Sequence, residues 1–157
     1  MKQENQPENQ ELRVRRIQNG TVIDHITAGQ ALNVLRILGI TDRSTEVMSV
    51  VMNVSDRKKD IVKIEDRELN PGEVDEIALI SPDAIINIIR DYKVIEKYKV
   101  ILPSEIEGVV RCINPNCITN TDEPVKPRFT IHRDGGVELH CMYCRSIITD
   151  RIADFLI

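Results

Sequence analysis

The strongest constraint on this chain is its set of four cysteines, which form two close pairs. Cys112 and Cys117 are separated by four residues, and Cys141 and Cys144 by two. Zn²⁺ accepts four cysteine thiolates in a tetrahedral arrangement, and two such pairs converge on one ion when the chain between them folds back as a hairpin. The spacing therefore predicts one Zn²⁺ per chain, with a structural role because four protein ligands leave no open position.

Two disulfides, or four unrelated core thiols, would also account for four cysteines. No signal peptide points to an oxidising compartment, and a Cys-x2-Cys pair is typical of zinc sites. We therefore expect reduced cysteines and a cytoplasmic protein. His132 and His140 lie in the same region, but His140 adjoins Cys141 and would point to the other side of an extended strand, so we expect it not to bind the metal.

The metal site and the composition together predict two domains. Residues 104–157 are too few to bury a sufficient core without a metal, so we expect a zinc domain there. The remainder divides into a larger domain over residues 11–103 and a polar, disordered tail over residues 1–10. The net charge is −4, which argues against general nucleic-acid binding, and no apolar run approaches the ~18 residues of a membrane span.

Hydrophobic periodicity predicts an α+β fold for the larger domain. Thr27 is a candidate N-cap for a first helix that ends at Gly39, and Asn70-Pro71-Gly72-Glu73 predicts the capped start of a second helix that ends near Ser81. The predicted strands are Leu12–Ile17, Thr21–Ile26, Met48–Val54, Ile61–Glu65, Ala84–Ile89 and Tyr92–Val100. This order fits a ferredoxin-like antiparallel sheet with both helices on one face.

The zinc domain is predicted to be a small all-β zinc ribbon. Its candidate strands are Val109–Cys112, Arg128–His132, Val137–Cys141 and a last one that begins at Ile147. The basic turn Asp56–Asp60 in the larger domain is interpreted as a solvated hairpin tip.

The sequence offers no nucleophile beside a base, no phosphate-binding glycine loop and no paired carboxylates, so we expect no catalytic residues. It does place isolated polar residues among apolar strand residues, at Asp24, His25, Lys63, Asn87 and Lys97. Each has an ordinary structural interpretation when taken alone, since a single lysine on a strand usually faces water and a single asparagine can satisfy a neighbouring backbone group.

Taken together, these residues resemble a known family. The segments Gly20–Ile26 and Lys59–Glu65, the spaced residues from Asn87 to Lys97 and the cysteine spacing are similar to the regulatory chain of aspartate carbamoyltransferase. The similarity runs from about Leu12 to the C-terminus. It implies a non-catalytic regulatory subunit in pyrimidine biosynthesis that binds nucleoside triphosphates in the N-terminal domain and catalytic chains through the zinc domain. CTP inhibits and ATP activates in this family, with UTP assisting in some members.

The resemblance also implies a set of nucleotide-binding residues: Val14, Ile17, Asp24, His25, Lys63, Asn87, Tyr92, Val94 and Lys97. Their chemistry suits the task, because Asp24 can accept from ribose hydroxyls, Lys63 can donate to base or sugar oxygens, and His25 and Lys97 can meet the triphosphate. Strict alternation would place Val94 and Lys97 on opposite faces of a strand, so we expect a bulge or a strand end between them.

The resemblance implies regulatory dimers within a complex of six catalytic and six regulatory chains. Two other interpretations remain. One is a zinc-ribbon adaptor that binds nucleic acid or the transcription machinery, although residues 104–157 carry six Lys and Arg against eight Asp and Glu and few aromatic residues for base stacking. The other is a free-standing nucleotide-sensing domain without a catalytic partner.

Overall fold

A computed structural model describes residues 16–54 and 58–157. The predicted tail over residues 1–10, the start of the predicted Leu12–Ile17 strand and the candidate residue Val14 lie outside the described residues. Arg16 and Ile17, at the end of that predicted strand, belong to no strand.

The N-terminal domain is built on one antiparallel sheet. Its strands are β1 (Gly20–Ile26), β2 (Met48–Val54), β3 (Lys59–Glu65), β4 (Ile85–Arg90) and β5 (Lys93–Lys99), and its helices are α1 (Ala31–Ile37) and α2 (Pro71–Ile80). The spatial order is β2-β3-β1-β4-β5. The first four strands and the two helices follow the ferredoxin-like order, and β5 extends the sheet beside β4. The predicted α+β fold is confirmed.

The two faces of this sheet differ in burial. In β3, Val62 and Ile64 are fully buried, whereas Lys63 between them is partly exposed. Ile23 in β1 and Ile86 in β4 are likewise fully buried and pack into the core with α1 and α2. The helices therefore cover one face, and the alternate residues of the strands form an open face on the other side.

The start of α2 follows the sequence prediction. The Asn70 side chain accepts from the Glu73 N–H at 2.8 Å, and the Glu73 carboxylate accepts from the Asn70 N–H at 3.1 Å, which is a complete capping box. Pro71 occupies the first turn, where its missing N–H costs nothing. The helix ends at Ile80, before the predicted stop at Ser81.

The start of α1 differs from the prediction, because Thr27 is not its N-cap. The helix begins at Ala31, and Gln30 in the N-cap position makes no side-chain cap. The Ala31 N–H donates instead to the buried carboxylate of Asp60 in β3, at 3.1 Å. The predicted stop is confirmed, since Gly39 has a φ of +75° after the last turn, a conformation that costs glycine little.

The C-terminal domain is a second, four-stranded antiparallel sheet. Its strands, in spatial order, are β6 (Glu105–Glu107), β7 (Arg128–Arg133), β8 (Val137–Cys141) and β9 (Ile147–Ile148). Short 3₁₀ turns lie at Ile118–Asn120 and Ile152–Phe155. This small all-β arrangement agrees with the predicted zinc ribbon.

Two of its predicted strands are wrong in extent. Val109–Cys112 is not a strand, because Val110 forms only an isolated bridge with Leu156 before Cys112 enters the metal cluster. The strand at Ile147 stops after two residues, and the chain turns at Arg151, which has a φ of +55°. The sequence prediction also missed β6, which is only three residues long.

The two domains contact each other through polar and apolar groups. The Arg36 guanidinium at the end of α1 donates to the Ala153 carbonyl in the C-terminal domain. Arg133 in β7 lies 3.0 Å from the Asp83 carboxylate in the loop before β4. This hydrogen bond to Arg133 holds the pKa of Asp83 below its ordinary value, with Lys99 adding to the effect.

We expect Gly20→Ala to destabilise the N-terminal domain by roughly 2–4 kcal/mol. Gly20 has a φ of +147°, and an added Cβ would lie 2.1 Å from the Ile64 carbonyl oxygen in β3. Hydrogen exchange of the β1 amides measures the change. Gly136→Ala is the control, because a Cβ there meets no atom within 4 Å, and its effect should stay within about 0.5 kcal/mol. Equal effects would contradict the prediction.

Candidate functional site

The four cysteine sulfurs converge on one point in the C-terminal domain. The ligand atoms of Cys112, Cys117, Cys141 and Cys144 all lie within 4.8 Å of one another. Two of the distances are 3.5 Å, from Cys112 to Cys144, and 3.7 Å, from Cys117 to Cys141. Sulfurs 2.3 Å from a tetrahedral ion are about 3.8 Å apart, whereas a disulfide brings them to about 2.05 Å. The cluster therefore fits a four-coordinate metal ion rather than disulfides.

Backbone and hydroxyl groups orient the cysteines. The N–H of Asn114 donates to Cys112 Sγ and the N–H of Tyr143 donates to Cys141 Sγ, each at 3.4 Å. The Thr119 hydroxyl lies 3.2 Å from Cys117 Sγ. Each of these N–H groups lies two residues after the cysteine to which it donates, so each cysteine pair is part of a tight loop. The hydrogen bonds also stabilise the thiolate form that binds a metal.

Without a positive charge among them, the four thiols cannot all ionise. Burial raises the pKa of Cys112 to about 12, and burial also raises the pKa of Cys141. The hydrogen bond to Ser146, 3.1 Å away, lowers the pKa of Cys144 to about 6. A divalent ion would supply the charge that deprotonates the buried pair, so the donor set suits a metal that prefers thiolates.

His140 is not part of this cluster, as the sequence analysis expected. Among the described residues, the metal-binding group consists of the four cysteines alone. The His140 ring lies 3.1 Å from the Glu138 carboxylate and packs against His132, with 4.3 Å between the ring centroids. Cys141, one position later in β8, is buried on the other side of the strand.

On the open face of the N-terminal sheet, the pairing register aligns several of the predicted nucleotide-binding residues. Ser49, Lys63, Val22, Asn87 and Lys97 are successive partners across β2, β3, β1, β4 and β5. Neighbouring strands lie about 4.8 Å apart, so the backbones at Lys63 and Lys97 are roughly 14 Å apart. The register therefore places two lysines and an amide in one lateral row, although they are far apart in the sequence.

A bulge in β5 resolves the difficulty with Val94. Ile88 pairs with Glu96 but Ile89 pairs with Val94, so Ile95 is an extra residue without a partner in β4. The bulge changes the alternation between Val94 and Lys97, and both residues then lie on the open face beside Ile89 and Asn87. The expected irregularity between these two positions is confirmed.

A second bulge carries Asp24 and His25. Ile23 pairs with Val62 and Ile26 with Asp60, so Asp24 and His25 together oppose one residue of β3. His25 has a φ of +57°, and its N–H donates to Asp24 Oδ1 at 2.7 Å. His25 Nδ1 is a buried atom 3.4 Å from Asp24 Oδ2, and it has no hydrogen-bond partner among residues 16–54 and 58–157.

Ile17 and Tyr92 lie near each other at one end of the sheet. Asp91 and Tyr92 form the two-residue turn between β4 and β5, and both have positive φ. The Tyr92 N–H donates to the Gln18 carbonyl at 2.9 Å, which brings the buried Ile17 alongside this turn. The Tyr92 side chain is half exposed. Both residues therefore flank the row, but neither belongs to it.

Lys63 has the most perturbed environment of the lysines in the row. Burial lowers its pKa, whereas Lys97 is exposed at the edge of the sheet. Asn87 is buried and donates to the Val22 carbonyl at 3.2 Å, so part of its amide capacity is already used.

A cleft lies between the two domains, away from this row. It has a volume of about 570 Å³, and Lys59, Asp83, Arg133 and Arg151 are among the residues that line it. Of the predicted nucleotide-binding residues that the structure describes, none lines this cleft. The cleft is therefore distinct from the predicted nucleotide site, which is a row of side chains on the open face of the sheet.

Asp60 is a residue that the sequence analysis misinterpreted. It was assigned to a solvated hairpin tip, but it is fully buried within β3. Its position two residues before Val62 and four before Ile64 puts it in the alternating buried set, and this alternation was the one signal that could have revealed its burial.

The fold and the cysteine cluster define a two-domain, metal-binding protein with a cationic row on the larger sheet. Residues 12–101 match the family described as aspartate carbamoyltransferase regulatory chain, allosteric domain, and residues 104–154 match its metal binding domain. The chain belongs to the aspartate carbamoyltransferase regulatory chain family and is a non-catalytic subunit. Within the described residues, no helix is long and apolar enough to cross a membrane.

Similar proteins cover almost the whole chain. The aspartate carbamoyltransferase regulatory chain of Methanothrix thermoacetophila is 59% identical over 150 residues, which are 94% of this chain and 97% of the relative. The one from Methanosarcina barkeri is 55% identical over 154 residues, 96% of this chain and 99% of the relative. The one from Methanoculleus marisnigri is 60% identical over 149 residues, 93% of this chain and 94% of the relative.

We expect removal of the metal to unfold the C-terminal domain while the N-terminal sheet remains folded, because so small a core depends on metal ligation. Protons compete with the metal for the thiols, and since burial raises the pKa of Cys112 and Cys141, metal affinity should fall as pH falls. Hydrogen exchange after chelation and metal titrations at two pH values measure both effects. Cys141→Ala should reproduce the unfolding at any pH. Unchanged exchange in β7 and β8 would contradict the prediction.

Proposed function

We propose that this chain binds CTP, ATP and UTP as allosteric effectors on the open face of its N-terminal sheet. The observation that carries the proposal is the row containing Lys63, Asn87 and Lys97, which brings cationic and amide groups from three strands onto one face. Family membership supports the same role, since residues 12–101 match an allosteric domain.

The chemistry of the row divides between the parts of a nucleotide. Lys97 is exposed at the edge of the sheet, where a bound triphosphate would stay partly solvated. The Lys97 ammonium group would hold the phosphates through charge-assisted hydrogen bonds. Lys63 lies two strands further into the sheet from Asn87, nearer the position of a ribose or base. His25 and Asp24 meet the row at the β1 bulge, with Asp24 available to ribose hydroxyls.

The charge states of these groups respond to the ligand. Burial lowers the pKa of Lys63 in the free chain, because its charged form is poorly solvated. An anionic nucleotide nearby would favour the cationic form again and raise that pKa. Nucleotide binding therefore couples to proton uptake at high pH, where Lys63 begins to lose its proton.

We further propose that the metal is one structural Zn²⁺ per chain, bound by Cys112, Cys117, Cys141 and Cys144. Four closely spaced sulfurs with backbone N–H donors support this choice, as thiolate sets of this kind favour zinc. We place the boundary between the nucleotide-binding and zinc domains after Pro103, in the segment between β5 and β6.

The zinc domain is proposed to bind the catalytic chains of aspartate carbamoyltransferase. Four apolar side chains next to the cysteines are 43–45% exposed: Ile113, Ile118, Met142 and Tyr143. Each follows a cysteine directly or lies between two of them, so the metal holds all four in position. Exposed apolar groups clustered in this way are typical of a protein interface. From the family resemblance alone, we also propose regulatory dimers and a complex of six catalytic and six regulatory chains.

We expect Lys97→Ala to weaken CTP and ATP binding alike, because both carry the triphosphate. Lys63→Ala should instead change the preference between them, since it lies nearer the base and ribose. Loss of one charge-assisted hydrogen bond costs roughly 1.5–3 kcal/mol, or about tenfold to over a hundredfold in affinity. Calorimetric titration of the chain measures the affinities.

Lys93→Ala is the matched control, as Lys93 lies on the same strand but pairs with Arg90 outside the row. It should change affinity by less than about threefold. Activity of the reconstituted complex should lose regulation in both row variants but keep its unregulated rate. A Lys97→Ala variant that resembles the control would overturn the site assignment.

We expect Met142→Glu to weaken assembly with catalytic chains by at least tenfold, because it puts a charge into an apolar contact surface. Metal content and nucleotide affinity should persist, since Met142 is exposed and is not a ligand. Gel filtration with catalytic chains measures assembly. Leu32→Glu on the exposed side of α1 is the control. Unimpaired assembly of Met142→Glu would locate the interface elsewhere. A separate experiment tests the zinc-ribbon adaptor alternative: retention of single-stranded DNA by the unmodified chain at low salt would favour it.

A further inference from the structure

Asp60 is a fully buried carboxylate that accepts three backbone hydrogen bonds. Its Oδ2 atom accepts from the N–H groups of Gly29 and Ala31, at 3.0 and 3.1 Å. Its Oδ1 atom accepts from the N–H of Asn53 at 3.0 Å. A buried carboxylate with three such donors is well satisfied, and each of the three amides would lose its partner if the carboxylate were removed.

These three amides belong to different parts of the domain. Gly29 lies in the loop after β1, Ala31 is the first residue of α1, and Asn53 lies in the irregular end of β2, where it has a φ of +60°. Asp60 itself pairs with Ile26, the residue directly after the β1 bulge. One side chain therefore links the loop after β1, the first residue of α1 and the irregular end of β2.

The bulge that carries Asp24 and His25 is enclosed between two fixed points. Before it, Ile23 pairs with Val62, and after it Ile26 pairs with Asp60. His25 adopts a left-handed backbone conformation with a φ of +57°, which an ordinary residue keeps only when its surroundings impose it. On the C-terminal side of the bulge, Ile26 pairs with Asp60 and the Thr27 N–H donates to Ser81 Oγ at 2.7 Å. The Gly29 and Ala31 N–H groups, which follow, donate to the Asp60 carboxylate.

We propose that Asp60 is a positioning residue for the effector site, which acts by holding the β1 bulge so that His25 and Asp24 face the nucleotide. The inference rests on the proposed nucleotide-binding function. Asp60 does not reach the open face, because it alternates with Lys59 and Ile61 and points to the helix side of the sheet. An asparagine cannot replace it, since one of its two side-chain atoms donates and would meet an N–H from Gly29 and Ala31 or from Asn53.

The test is a double-mutant cycle on CTP affinity in the assembled complex, with Asp60→Asn and His25→Ala. We expect each single variant to weaken CTP binding about tenfold. In the Asp60→Asn background, His25→Ala should cost less than about threefold more, because His25 is already misplaced. A residue that only stabilises the fold would leave the two effects additive, since independent effects add.

Thr21→Val is the matched control for lost stability. Thr21 is also fully buried in the same sheet, and its hydroxyl donates to the Arg67 carbonyl at 2.6 Å, away from the bulge. This variant should leave CTP affinity within about twofold and remain additive with His25→Ala. If Thr21→Val weakened CTP binding as much as Asp60→Asn, the inference would be overturned.

The remaining outcomes are also distinct. Additive effects of Asp60→Asn and His25→Ala would overturn the positioning role and leave the proposed site intact. An unchanged affinity in His25→Ala alone would overturn the positioning role, because His25 would then not contact the nucleotide, whereas an unchanged affinity in Lys97→Ala would overturn the proposed site itself. Asp60→Ser, which keeps one oxygen acceptor, replaces Asp60→Asn if that variant does not fold in the complex. Failure of both to fold would assign Asp60 to the stability of the whole domain and overturn the inference.

Discussion

The pairing register of the five-stranded sheet is the constraint on which both the core and the proposed effector site depend. Side chains alternate between faces with a period of two, so the register that buries Val62, Ile64 and Ile86 also places Lys63 and Asn87 on the open face. A slip of one residue in β3 would bury a lysine and expose the core. The hydrophobic effect that folds the domain therefore also aligns the polar row.

Regular alternation alone does not complete that site. The β5 bulge at Ile95 brings Val94 to the same face as Lys97, and the β1 bulge holds Asp24 and His25 just beyond Val22, the central member of the row. Bulges redirect side chains at the cost of unpaired backbone and local strain. The buried carboxylate Asp60 pairs with Ile26 directly after the β1 bulge and accepts from the Ala31 N–H at the start of α1.

The C-terminal domain is stabilised in a different way from the N-terminal sheet. Phe129, Leu139 and Ile148 are fully buried, but a four-stranded sheet of this size has few such residues, and three buried cysteines occupy part of its interior. Metal ligation replaces part of the missing core. The same tight loops hold apolar side chains such as Met142 and Tyr143 at the surface, so the proposed partner surface depends on the metal. The Arg133–Asp83 contact then connects this domain to the sheet that carries the row.

The sequence by itself determined the features that arise from neighbouring residues. The cysteine spacing indicated a metal cluster, Asn70 and Glu73 predicted a capping box, Gly39 marked a helix end, and alternation located β3 and β8. Only the tertiary structure decided the start of α1, the limit of pairing at Val110 and the hydrogen-bond partners of Asp60. Caps and turns are stabilised by atoms a few residues apart, whereas these other features depend on groups tens of residues away. Asp60 and Ala31 meet only because β3 and α1 are packed together, and no local pattern encodes that meeting.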